Sequence, residues 1–241
     1  MPMMAATPVR HYVTAGVSGG VLHVDKQHWG GEAAIEGGYA LERNHFLLAL
    51  SLQAGYQYAT AKRADYTTHE PAIDDQYQPY ILNSIYTNGQ AKYHLVHIAL
   101  PVLLGGASRR FYGLIGPVIG MQVYGKERTQ YSLTTTGTYD PMIDTFHDMP
   151  NHGFYTRDTQ SHKQLSSTYS VKAMVELGAR IPLGSSYKQR FQRTQNELHI
   201  GAYATYPLIR TTPMSNESFS IGIKCSMWWN IPSSVPCRCV R

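Results

Sequence analysis

Polar and apolar residues alternate along residues 169–184, which read YSVKAMVELGARIPLG. Lys172, Glu176 and Arg180 are four residues apart, so a helix would place all three on one face. They also share one parity, so on a strand they would point to one side while the apolar residues point to the other. A helix would mix apolar residues into the charged face, whereas a strand separates nearly every residue. The alternation therefore predicts a strand.

The same two-residue period recurs in seven other segments, at 9–22, 32–41, 46–58, 93–104, 111–123, 197–208 and 218–231. Each is long enough to cross a bilayer at a tilt. The connections on one side, at 42–45, 105–110 and 184–195, are short or moderate. Those on the other side include two long ones, at 60–92 and 125–166. This asymmetry is typical of an all-β, eight-stranded antiparallel transmembrane up-and-down β-barrel.

The apolar face of the predicted strands ends in aromatic residues on both sides. Strand direction places Tyr39, Phe46, Phe111 and Trp229 at the short-turn end, and Tyr56, Tyr58, Tyr169, Tyr206 and Phe219 at the long-loop end. Two aromatic girdles around an aliphatic band match the headgroup levels of a membrane. The alternative is a soluble barrel such as a lipocalin, whose apolar face points inward. Its solvent face would then be the charged parity, which is rich in glycine and offers little polar cover, so the membrane barrel is favoured.

Charge and cysteine content narrow the function classes. The chain has 21 Lys and Arg against 16 Asp and Glu, a net charge of +5, but no element clusters the basic residues. We therefore expect no nucleic-acid binding. Cys225, Cys237 and Cys239 form an odd set that cannot pair completely within the chain. The CRCVR segment lacks the second ligand pair of a metal site, so we expect neither metal nor cofactor there.

The first ten residues, MPMMAATPVR, have neither the basic nor the apolar region of a secretion signal. The sequence is therefore either that of a protein that is not exported or that of a mature or trimmed chain without its signal peptide. We expect residues 1–231 to form the barrel domain and residues 232–241 a short C-terminal tail.

Residues 95–121, LVHIALPVLLGGASRRFYGLIGPVIGM, carry a strand with I-x-L-P, a short turn and an aromatic strand with Y-G-x-x-G-P. This arrangement resembles the PorT-like outer-membrane β-barrel domain family, whose members are small barrels of the OmpA/OmpX type. The resemblance covers about residues 12–231. It implies an eight-stranded barrel in the outer membrane of a Gram-negative bacterium, with both termini and the tail in the periplasm. It brings no catalytic residues with it.

The inward parity carries charges of both signs. They are Glu32, Glu36, Lys172, Glu176, Arg180, Glu197 and Lys224, together with His97 and His199. An eight-stranded barrel is just wide enough to be filled by side chains, and an unpaired buried charge is costly, so we expect these charges to pair. Arg180 and Glu197 are the pair that strand direction favours most.

The two long connections carry the other candidate chemistry. Metal ligands could come from Asp65, His69, Glu70, Asp74, Asp75, Asp144, His147, Asp148, His152, Asp158 and His162, but their spacing fits no ligand motif. The histidines with their neighbouring aspartates could also serve a surface enzyme, a protease or lipid A deacylase, although no framework fixes them. A small channel is the other alternative. We expect instead a non-enzymatic barrel without cofactor, which serves as a subunit or accessory of an outer-membrane complex. The barrel itself contacts lipid, and its connections at 60–92 and 125–166 contact another protein.

Overall fold

The computed structural model describes residues 9–25, 28–73, 77, 79–138, 146–147, 156–183, 196–210 and 219–231. Eleven strands occur in these residues: β1 (Arg10–Asp25), β2 (His28–Arg43), β3 (Phe46–Lys62), β4 (Tyr66–Ile73), β5 (Pro79–Ala107), β6 (Phe111–Thr138), β7 (Phe146–His147), β8 (Thr156–Leu165), β9 (Thr168–Leu183), β10 (Asn196–Arg210) and β11 (Phe219–Ile231). Among the same residues, no helix has the length and apolar character to cross a membrane. The tail at 232–241 and the connection at 184–195 lie outside the described residues.

The chain divides into two compact units. The first comprises Met1–Ala59, His94–Gly125 and Ser166–Arg241, and the second Thr60–Tyr93 and Lys126–Leu165. Strands β3, β5 and β6 contribute residues to both.

Eight strands close a ring in the first unit. Pairing runs β1-β2-β3-β5-β6-β9-β10-β11 and returns to β1, with up-and-down antiparallel neighbours. These eight are the strands that the alternation predicts, and the sequence segment at 169–184 is β9. The ring forms because each strand has one apolar and one polar face, and closure leaves no strand with an unpaired edge.

The strand register keeps the two parities on opposite sides around the ring. Val17 pairs with Cys225 on one side and with Ile35 on the other, while the next residue, Ser18, pairs with Lys224 and Ala34. The apolar parity is exposed, as at Val13, Val17, Val21, Ile35, Leu50, Leu52, Val96, Ile98, Leu100, Ile115, Ile119, Val175, Leu177, Ile200, Ile221 and Ile223. The charged parity is buried inside the ring.

A two-residue turn joins β2 to β3. Asn44 and His45 have φ angles of 51° and 71°, the pair of positive values that a type I′ hairpin turn requires. His45 also lies 3.1 Å, through Nδ1, from the carbonyl oxygen of Ala107. The short connection predicted at 42–45 therefore narrows to residues 44 and 45.

In the second unit, β4 pairs with β5, and β7 and β8 pair with β6; β5 and β6, which also pair with each other, contribute residues up to 93 and from 126. The prediction of long loops at 60–92 and 125–166 is therefore wrong for much of both ranges, and three strands were missed. Threonine and tyrosine stand on both faces here, as in the YTTHEPAI sequence of β4. They favour strands without producing a two-residue polar alternation, so the pattern gave no signal.

Candidate functional site

Arg180 on β9 is the centre of the first charge cluster inside the ring. Its Nε donates to Oε2 of Glu197 at 2.9 Å, and its Nη2 donates to Oε1 of Glu197 at 3.0 Å and to Oε2 of Glu42 at 2.7 Å. Its Nη1 donates to Oε1 of Glu42 at 3.2 Å and to the carbonyl of Ser108 at 3.1 Å. All five N–H donors of the guanidinium group are thereby used. Nε2 of His199 lies 3.0 Å from Glu197.

Lys224 on β11 holds the second cluster. Its Nζ lies 2.8 Å from Oε1 of Glu36 and 3.0 Å from Oε2 of Glu176. The hydroxyl of Tyr112 donates to the other oxygen of Glu176 at 2.7 Å. Strands β2, β6, β9 and β11 all contribute, so the cluster ties opposite sides of the ring together.

Glu32 forms a third group with neutral partners. It accepts from the hydroxyl of Tyr203 at 2.7 Å and from the amide of Gln57 at 3.1 Å. With Lys172 and His97 it lines a cavity of about 70 Å³, room for a few water molecules. Nδ1 of His97 is buried with no hydrogen-bond partner among the described residues.

Two tyrosines reach their carboxylates by lying across inward-facing glycines. A Cβ added to Gly178 would come within 2.6 Å of the Tyr112 ring, and one added to Gly201 within 2.5 Å of its hydroxyl. Tyr203 crosses Gly222 in the same way, where an added Cβ would lie 2.5 Å from its ring. The glycines of the charged parity therefore make room for rings that fill the lumen.

These contacts indicate that the charged residues of the lumen stabilise the ring. Every predicted network residue is buried or half-buried, and the acids lie against bases or phenol donors. Because the pairs cross the ring, they hold the strands in register and fill the interior. The cavity that they leave near Glu32, at about 70 Å³, lies well below the roughly 300 Å³ at which small-ligand sites begin.

The predicted girdle residues lie on the outer side of the ring. Tyr39, Phe46, Phe111, Trp229, Tyr56, Tyr169 and Tyr206 are exposed, and Tyr58 and Phe219 are half-exposed. At one end, Tyr39 and Trp229 flank Val13 on neighbouring strands. At the other, the Phe219 ring stacks on His23 at 5.2 Å, and Trp29, which the sequence analysis did not assign, packs edge-on against both.

The second unit has its own buried acid. Glu127 on β6 accepts a hydrogen bond from Arg63, the residue directly after β3, and the same guanidinium donates to the Tyr93 hydroxyl at 2.9 Å. The hydrogen bond to Glu127 raises the pKa of Arg63 above its usual value. The second unit also contains a cavity of about 520 Å³ lined by tyrosines and small polar residues.

The candidate metal and enzyme residues divide between described and undescribed parts of the chain. His69 has Asn83 as its partner, with Nδ1 2.6 Å from the amide oxygen. Asp74, Asp75, Asp144, Asp148 and His152 lie outside the described residues, as do Cys237 and Cys239. Within the described ranges, no three His, Cys, Asp or Glu side chains are placed to hold a metal ion.

Several residues of the clusters escaped sequence reasoning. Glu42 was assigned to a turn and Glu127 to a loop. Glu42 has the same parity as the inward-facing Glu32 and Glu36, so the alternation could have identified it. Tyr112 and Tyr203 also lie on inward positions. Their partners are acids on strands distant in sequence, which alternation alone does not identify.

Comparison with known proteins assigns no family: no family model matches the chain, and no curated protein is similar to it. Among solved structures, Ail, the attachment invasion locus protein of Yersinia pestis, crystallised with the heparin analogue sucrose octasulfate, is 7% identical. The match covers 92% of this chain and 99% of that one, with a TM-score of 0.29. The translocator domain of the autotransporter NalP from Neisseria meningitidis is 8% identical, with 95% and 90% coverage and a TM-score of 0.28. At these TM-scores the likeness supports neither a family nor a function.

Proposed function

We propose that this chain is a non-enzymatic outer-membrane β-barrel protein of a Gram-negative bacterium, in the manner of the PorT-like family, and serves as a subunit or accessory of a membrane-protein complex. The observation that carries membrane residence is the inverted distribution of polarity. Aliphatic side chains cover the outside of the ring and charged side chains fill its inside. Soluble monomers rarely expose continuous apolar patches of more than a few hundred Å², and a soluble barrel would place its charges outside.

A lipid bilayer accounts for both the aliphatic outside and the charged inside of the ring. Hydrocarbon accepts the aliphatic band, and closure of the ring pairs each strand backbone with a neighbour, as lipid cannot. The exposed tyrosine, phenylalanine and tryptophan residues at the two ends suit the headgroup level.

Substitution of matched isoleucines by arginine tests membrane residence. Ile223 is 67% exposed in the middle of β11, and Ile73 is 68% exposed at the end of β4 in the second unit. In phospholipid vesicles we expect Ile223→Arg to lower the free energy of unfolding by about 2–4 kcal/mol, the cost of Arg near a bilayer midplane. We expect Ile73→Arg to change it by less than about 0.5 kcal/mol. Equal, small effects at both positions would rule out a lipid-facing β11.

The proposed complex is formed through the second unit, at 60–93 and 126–165. Support comes from its extent and from its exposed tyrosines and polar residues, which suit a transient protein interface better than a membrane face. Strand-rich extensions of this kind also display unpaired edges, at which another chain could add a strand.

Removal of the β4–β5 hairpin tests the complex. The backbone N–H of Arg63 donates to the carbonyl of Gly89 at 2.8 Å, so the chain between them can be replaced by a short turn with little movement of either end. We expect the shortened protein to keep the heat-dependent gel shift of a folded barrel but to lose the protein that co-purifies with the native chain in mild detergent. Retention of that protein would place the contact elsewhere.

A further inference from the structure

The second unit contains a cavity of about 520 Å³, lined by thirteen side chains from β4, β5, β6 and β8. Its volume lies within the range of small-ligand sites. The lumen residues take no part in it, and nothing in the proposed function uses it.

Three tyrosines form an aromatic corner in this cavity. The rings of Tyr66 and Tyr86 stack at a centroid distance of 4.4 Å and an angle of 11°. Tyr131 stands nearly perpendicular to both, at 5.4 Å and 88° from Tyr66 and at 5.8 Å and 81° from Tyr86. The stacked pair and the perpendicular ring present two aromatic surfaces at a right angle.

The corner is held by the backbone. Tyr66 and Tyr86 are register partners on neighbouring strands, so their side chains meet on one face. Gly89 provides the room for Tyr131, because a Cβ at position 89 would collide with the Tyr131 ring and lie 2.8 Å from Cβ of Arg63.

The lining of the cavity extends along β5. Tyr80 lines it six residues before Tyr86 on β5, which corresponds to about 20 Å at roughly 3.4 Å per residue. Of the other lining side chains, five carry hydroxyls or amides and two are leucines, with Glu70 and Arg157 as the two charged members. A lining of aromatic faces, neutral donors and acceptors, and balanced charge fits a long neutral ligand.

We propose that this cavity binds a neutral linear oligosaccharide. The apolar faces of sugar rings pack against aromatic rings, which provide large, rigid contact areas with few rotatable bonds. The hydroxyls of the sugar meet the serine, threonine and glutamine side chains and the phenol groups, which offer both donors and acceptors.

Other ligand classes fit the lining less well. A sulfated or phosphorylated polymer needs an excess of basic residues, and the lining has one arginine against one glutamate. A quaternary ammonium group needs several open aromatic faces around one point, whereas Tyr66 and Tyr86 direct one face at each other. An extended peptide is recognised through its main chain at a sheet edge, whereas this cavity lies on a sheet face, where the backbone groups are already paired.

A binding panel on the full-length chain tests the proposal. The protein is folded in a polyoxyethylene detergent, since glycoside detergents would compete. Maltotriose, cellotriose, laminaritriose and tri-N-acetylchitotriose are examined by saturation-transfer NMR and titration, beside heparin oligosaccharide and phosphocholine. We expect one or more of the four neutral sugars to bind, and heparin oligosaccharide and phosphocholine not to bind. Absence of binding by all four neutral sugars, or binding of only the charged probes, would overturn the proposal.

Variants locate the site. Tyr66→Ala and Gly89→Val should each weaken sugar binding at least tenfold, the second by displacing Tyr131. Tyr169→Ala, at an exposed tyrosine of the first unit, should leave binding unchanged. Ser84→Ala preserves the aromatic corner and should weaken binding several-fold even if the larger changes impair folding. Sugar affinity that is unchanged in both Tyr66→Ala and Ser84→Ala would place binding outside the cavity.

Discussion

Replacement of Arg180 by leucine would leave two carboxylates inside the ring without their shared cation. The guanidinium donates five hydrogen bonds, four of them to Glu42 and Glu197. After the change, Glu197 retains His199, and Glu42 retains the hydroxyl of Tyr12 at 3.1 Å. Loss of one partner of a buried ion pair typically costs about 3–5 kcal/mol. Because two acids are left here, we expect Arg180→Leu to fall in the upper half of that range.

Arg10 provides a matched control. Its Nη1 lies 4.0 Å from the same carboxylate of Glu42, but its side chain is 51% exposed. An exposed ion pair contributes about 0–1 kcal/mol, so Arg10→Leu should be nearly neutral. The pair of variants separates the effect of a buried arginine from that of any positive charge near Glu42.

Unfolding of the protein in phospholipid vesicles by guanidinium chloride gives the free energy of unfolding of each variant by linear extrapolation. Tryptophan fluorescence reports the site directly, because the Trp228 ring stacks on His199 at 4.0 Å. Leucine at both 180 and 197 should recover part of the loss, and leucine at 42 as well should recover most of it, since no acid is then stranded. If Arg180→Leu costs no more than Arg10→Leu, or if the double variant equals the sum of the single ones, the cluster does not stabilise the ring as described.

Two further changes test the remaining lumen features by the same titration. Lys224→Met strands both carboxylate partners of the lysine and should cost about 3–5 kcal/mol; a loss below about 1 kcal/mol would show that the second cluster is dispensable. Gly178→Ala should cost about 1–3 kcal/mol by overpacking, because an added Cβ would lie 2.5 Å from the carbonyl oxygen of Ile200 and 2.6 Å from the Tyr112 ring. Gly37→Ala, where an added Cβ would meet only a carbonyl oxygen at 3.9 Å, should be close to neutral, and an equal loss at both glycines would contradict the packing described for Tyr112.

Sequence reasoning succeeded where one face of a strand differs from the other. Residues 169–184 alternate apolar and charged positions, and the strand and its inward charges follow directly. It failed in the second unit, where strands such as β4 carry threonine and tyrosine on both faces and leave no period to detect. It also missed Glu42, because residue 42 was assigned to a turn, whereas β2 extends to Arg43; alternation in any case does not predict which strands lie opposite. Arg180 and Glu42 are 138 residues apart in sequence, and only the closed ring brings them together.

Closure of the ring depends on β11, which follows the other seven ring strands along the chain. β1 pairs with β11 at thirteen positions, beginning with His11 opposite Ile231, whereas β2 and β3 are joined through the two residues of their turn. A nascent chain lacking β11 therefore exposes unpaired edges on β1 and β10 beside an apolar outer face. Such edges recruit other strands, and partly folded chains with exposed apolar surface aggregate readily. A cell that makes this protein must therefore keep chains whose ring is still open apart from one another until β11 has paired with β1.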